Sequence, residues 1–136
     1  MKRGFTLIEV LVCVVIVALL ATIALPSWRG VVTRSQRGDA IAALYAVATA
    51  QERYRMVHGV YAAAAAPAPP VGLGFASSER GWYELRIEHA DATRFTATAR
   101  PRDGAPTTSD TECRLFTIDQ AGARNSVPAG PHTCWR

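Results

Sequence analysis

Lysine is almost absent from this sequence: Lys2 is the only one, and the other 14 basic residues are arginine. Charged residues make up 19% and aromatic residues 8% of the 136 positions, while apolar residues reach 49%. So apolar a chain is not intrinsically disordered, because it can bury enough surface to offset the entropy lost on folding. Its 10 glycines and 8 prolines follow no period, which excludes collagen-like and low-complexity architectures. Also missing are a phosphate-cradling glycine loop, a nucleophile elbow around Ser77, Ser78, Ser109 or Ser126, and metal-ligand spacing among His58, His89 and His132. Asp103, Asp110, Glu112 and Asp119 are spread over 17 positions, whereas calcium takes about 6–8 oxygens from a compact loop. The sequence therefore points to no catalytic residues, no metal and no cofactor. Trp82 and Trp135 read as core or edge packing of a small sheet.

There is one long apolar run. From Val10 to Leu25 every residue except Thr22 is apolar, and extending back to Phe5 gives 21 residues with a single charge, Glu9. As a helix that length crosses a hydrocarbon layer of about 30 Å. Lys2 and Arg3 precede it, which leaves the N-terminus cytoplasmic and everything after Leu25 outside. A cleaved secretory signal is excluded, since the run is too long and no A-x-A site follows it closely. Trp28, just past the run, reads as an interfacial anchor. From Arg29 onward there are 13 arginines against 10 acidic residues, interleaved along the chain. That pattern describes a solvated, mildly basic surface and disfavours a nucleic-acid partner.

Cys13 falls inside the run and reads as a small apolar residue. Cys113 and Cys134 fall in the outer part, where an oxidising compartment makes them a disulfide pair. Glu9 is costly at membrane depth and calls for a positive partner, which makes it a functional residue. Pro26 ends the densest apolar stretch and is expected to kink the helix.

Beyond Pro26, Ala40, Ala43, Leu44, Val47, Ala50, Tyr54 and Val57 recur at helical spacing, and Gly59 marks a stop. One helix is thus expected from about Phe5 to about Val57. Ala62–Pro70 reads as an extended surface loop, and Pro101–Thr111 as a mobile polar one. Alternation predicts strands at residues 82–88, 94–100 and 113–119, with a short fourth at 124–127. The fold class is α+β: a long helix, transmembrane in its first half and amphipathic in its second, packed on an antiparallel sheet of 3–4 strands.

Lys2-Arg3-Gly4 followed by Phe5-Thr6-Leu7-Ile8-Glu9-Val10-Leu11 resembles the processing site and mature N-terminus of type IV pilins and pseudopilins. The resemblance implies the pilin fold. It also implies cleavage by a prepilin peptidase between Gly4 and Phe5, N-methylation of Phe5, and pairing of Glu9 with the N-terminus of a neighbouring subunit. Residues 1–4 would be the leader, 5–28 the hydrophobic assembly helix and 29–136 the globular domain: helix to about 57, loop 58–80, then sheet and disulfide-bounded region 81–136. Pilins of this family carry a proline at the place of Pro26, where the helix curves and locally melts. Cys113…Cys134-Trp135, Asp119-Gln120-Ala121-Gly122 and Gln51-Glu52-Arg53-Tyr54 look like PilE-type minor pilins. The implied function is a minor subunit of a type IV pilus, serving assembly, adhesion and twitching motility. Its partners would be other pilin subunits and the inner-membrane assembly platform. It would reside first in the bacterial inner membrane and then in the extracellular pilus. The alternatives are a pseudopilin of type II secretion and a DNA-binding competence pilin.

Overall fold

The computed structural model describes residues 6–136, apart from the side chains of residues 25–27. The Gly4–Phe5 junction lies outside the described residues. The chain divides into two compact units, residues 1–33 and 34–136.

A single helix, α1, spans Leu7–His58, 52 residues with helical backbone through Pro26. In its first half, none of the most apolar 18-residue window is buried. In the unit of residues 34–136 the helix becomes one-sided. Ala40, Leu44, Val47 and Gln51 are all at most 1% exposed, and their spacing of four, three and four residues keeps them on one face. Ala43, Ala50 and Tyr54 flank them, half-buried. Val57 does not belong to this face, since it is 79% exposed. The last turn runs past the core, and the chain then leaves at Gly59, whose φ of 76° is the left-handed conformation that ends helices.

The loop expected at Ala62–Pro70 is largely exposed, but it is anchored at two points, Ala62 and Ala65, which are buried in the core with the flanking Tyr61 and Leu73. Small side chains let this segment lie close against the domain, where the Tyr61 N–H donates to Asp91 O and the Phe75 N–H to Ala65 O.

Four strands follow: β1 Tyr83–Ala90, β2 Phe95–Pro101, β3 Cys113–Asp119 and β4 Arg124–Pro128. They pair antiparallel in the order β1-β2-β3-β4, a meander. Its register stacks Leu85, Ala99 and Phe116 across three neighbouring strands on the buried face. Turns are closed by aspartates. Asp91 Oδ1 accepts the N–H groups of Thr93 and Arg94, and Asp119 Oδ1 those of Ala121 and Ala123. The Thr93 N–H and His89 hold the Asp91 carboxyl well below the usual carboxylate range.

Both sheet edges are partly covered. A bridge from Ser77 to Glu84 shields the start of β1, and a bulge interrupts β1 between Ile87 and His89. On the other edge β4 ends at Pro128, and Asn125 O accepts the indole N–H of Trp135.

Cys113 and Cys134 are joined in a disulfide, both fully buried, and Cys134 closes the short helix α2, Pro131–Cys134. Cys134→Ser is expected to lower stability in urea by about 2–4 kcal/mol through the freed unfolded chain. An unchanged urea midpoint would show that the packing around the sulfurs, and not the covalent bond, holds this end of the chain. Residues 101–111 contain a single-turn 3-10 helix, Pro106–Ser109, with Thr107 fully buried and Asp110 9% exposed. The expected mobile loop is therefore pinned, and a buried ion pair is the cause.

Candidate functional site

Two surfaces carry the functional residues. The first is the inner half of α1. Leu7, Ile8, Val10, Leu11 and Val14 are each at least half exposed and form a continuous apolar coat around the helix. Glu9 is the one acidic group in the first turn, and its N–H, like that of Val10, donates to Thr6 O. At membrane depth a carboxylate on so apolar a rod is costly, and a cation beside it would offset that cost. Trp28 is 66% exposed just beyond Pro26, placed for a polar–apolar boundary. Gly30 and Gly38 make room for nothing, since a Cβ at either would meet no atom within 4 Å. Their effect is on the backbone, each lowering helix propensity by about 1 kcal/mol against alanine.

The second surface is the disulfide-bounded end of the 34–136 unit. Arg37 reaches from α1 to Asp110 with a two-pronged contact, Nε to Oδ2 at 2.6 Å and Nη2 to Oδ1 at 3.0 Å. Nη2 also meets Glu112 Oε2 at 3.1 Å and Nη1 the Thr133 carbonyl at 3.3 Å. The Arg37 and Asp110 side chains are 13% and 5% exposed. Burial pushes the Asp110 carboxyl up, but the Arg37 guanidinium and the N–H groups of Cys113 and Glu112 outweigh it and hold it below its ordinary value. Asp110 and Glu112 are thus taken up by an arginine, and Asp119 by its turn. Among the described residues no group of three or more His, Cys, Asp or Glu is placed to hold a metal.

The arginines are less evenly mixed in space than in sequence. Three clefts on the 34–136 unit mix both signs: Arg100 and Arg114 with Asp103 and Asp110, Arg86 and Arg102 with Glu84, Arg86 and Arg100 with Glu84 and Glu88. A fourth, of about 420 Å³, is lined by Arg124, His132, Trp135 and Arg136 without an acidic residue. Arg124 stands over the Trp135 ring at 5.9 Å and donates to the Tyr45 hydroxyl, and Tyr45 meets Trp135 edge-on. Trp135 packs on the core through Phe116, and Trp82 is likewise half-buried. The histidines have separate surroundings: His58 stacks on Tyr54, His89 bonds Asp91 and His132 lines this cleft.

An apolar N-terminal helix bearing one acid, continued into a one-sided helix on a four-stranded meander with a C-terminal disulfide, defines a pilin. The chain belongs to the type IV pilin family. Residues 1–25 match the prokaryotic N-terminal methylation motif. Residues 26–117, more than half of the chain, match the family model described as type IV minor pilin ComP, DNA uptake sequence receptor. Among curated proteins, the type IV major pilin protein PilE of Neisseria gonorrhoeae is 32% identical, over 68% of this chain and 55% of its own length. The fimbrial protein EcpC of Eikenella corrodens is 34% identical, over 60% and 50%. The chain thus spans about half the length of these relatives. Among solved structures, a type IV pilin from Shewanella oneidensis has a TM-score of 0.52 at 26% identity, over 76% of this chain and 98% of that one. The Neisseria meningitidis non-core minor pilin PilV has the same fold, with a TM-score of 0.52 at 19% identity, over 76% and 93%.

Proposed function

We propose that this chain is a minor structural subunit of a type IV pilus. The observation that carries the reading is the bare apolar half of α1 with its single carboxylate, Glu9. In this reading prepilin peptidase removes residues 1–4 on the cytoplasmic side and methylates Phe5, while residues 34–136 sit in the periplasm. On extraction by the assembly platform, the apolar surface passes from lipid to neighbouring helices. Glu9 finds the Phe5 amine of an adjacent subunit, and the helix bends or unwinds near Pro26. The filament so built serves assembly, adhesion and twitching. Glu9→Val removes a costly charge, so membrane insertion is expected to persist while incorporation into sheared pili falls at least several-fold. Normal incorporation would sink the assigned role of Glu9. Mass spectrometry of pilus-derived chains is expected to find N-methyl-Phe5 at the start.

A second reading, a DNA-binding competence pilin, draws on the description of the family model and on the acid-free cleft at Arg124, His132 and Arg136. Phosphate contacts release counterions, so each arginine lost from the contact is expected to reduce the salt slope of duplex binding by about 1. An Arg124→Gln, Arg136→Gln chain with an unchanged slope would remove the cleft from any DNA contact.

A further inference from the structure

Arg37 holds the chain on both sides of the disulfide at once. Three of its contacts go to Asp110 and Glu112, the latter immediately before Cys113, and a fourth to the carbonyl of Thr133, immediately before Cys134. Asp110 passes the restraint on, since its Oδ1 accepts the N–H groups of Glu112 and Cys113. Beside this fork, the β3–β4 ladder pairs Cys113 with Pro128, and the Ala129 N–H donates to Glu112 O. The cysteines are 21 residues apart in sequence, and Arg37 lies far from both. The guanidinium is planar and has donors on three nitrogens, so one side chain can fix two segments in a set relation.

We propose that Arg37 is a positioning residue for disulfide formation, holding the Cys113 and Cys134 segments together before the covalent bond exists. With a small-molecule disulfide such as oxidised glutathione, one cysteine thiolate attacks and expels one glutathione thiolate, leaving a mixed disulfide. The second cysteine thiolate then attacks the protein sulfur of that bond and expels the other. Two electrons pass from the cysteines to the oxidant, and the two thiol protons go to solvent or to the released glutathione. Only the second step is intramolecular, and it depends on how closely the second thiol is held. By linkage, the closed disulfide in turn strengthens the hold of Arg37 on Asp110.

The test equilibrates the full chain in detergent micelles with graded ratios of reduced and oxidised glutathione. Cys13→Ala is the common background, so only two thiols titrate. Replacing Arg37 by Met keeps the aliphatic stem and removes the fork; Arg37→Lys keeps the charge but not the two-segment contact. The effective concentration of the two thiols is expected to fall about tenfold or more for Arg37→Met, the scale of losing hydrogen bonds to charged groups, and by less for Arg37→Lys. In concentrated urea all three chains are expected to agree. Asp110→Asn, which keeps the size of the partner, is expected to shift the equilibrium the same way and serves if Arg37→Met does not fold. Equal native-state equilibria for the Arg37 chain and the folded variants would overturn the proposal, leaving core packing as what joins the thiols.

Discussion

Asp110→Ala is expected to lower the unfolding free energy of the 34–136 unit by about 3–5 kcal/mol, the cost of breaking a buried pair from one side. Arg37, 13% exposed, would keep only Glu112 and the Thr133 carbonyl, and Glu112 is an exposed partner. The N–H groups of Glu112 and Cys113 would lose their acceptor as well. Urea denaturation followed by circular dichroism measures the loss, and a change below about 1 kcal/mol would class the pair with surface ion pairs. The effect also has a pH signature. Burial works to raise the Asp110 carboxyl, but Arg37 wins and holds it below its ordinary value. A depressed carboxylate stabilises fully above the ordinary carboxylate pKa, and its contribution fades as pH falls through the lower folded value. The stability gap between the parent chain and the Asp110→Ala variant should therefore narrow in acid, not in base.

Gln51→Leu should cost about 2–5 kcal/mol although it makes the core more apolar, because it strands two buried backbone groups. Gln51 is fully buried, and its amide pairs with both sides of one residue: Nε2–H donates to Ala62 O and Oε1 accepts the Ala62 N–H, each at 2.8 Å. Ala62 itself is 1% exposed, so water cannot replace the lost partner without opening the loop. Hydrogen exchange at Ala62 should rise far more than at the sheet amides. A Gln51→Leu chain as stable as its parent would mean that the loop finds other partners at no cost.

These two side chains also mark where sequence patterns stop being informative. The helix, the four strands and the Cys113–Cys134 pair were legible because periodicity, turn residues and cysteine placement are local or nearly so. Gln51 was not, yet its signal was present: it stands four residues after Val47, in step with Ala40 and Leu44. Polarity hid it, since a glutamine on an apolar stripe is readable only once its backbone partner eleven residues away is known. Asp110 looked like part of a mobile polar loop because Arg37, 73 residues back, gives no local sign of reaching it. Val57 failed in the opposite sense, continuing the apolar period after the core had ended. Likewise the interleaving of arginine and acid along the chain concealed the acid-free cleft, which assembles residues of β4 with those after it. Gly4 and Phe5 were read from a motif alone and rest on that motif still.

The two blunted sheet edges bear on how copies of this chain meet. A strand with free N–H and C=O groups along its side is a template for strand addition and fibrous aggregation. Here β1 is shielded at its start, broken by a bulge, and carries the exposed charges Arg86 and Glu88. The opposite margin is five residues long, stops at a proline, and has a carbonyl occupied by Trp135. Copies of this chain brought close together therefore find little continuous ladder to extend from sheet to sheet. Growth through the strands is disfavoured at both margins, which leaves other surfaces of the chain for any ordered contact between copies.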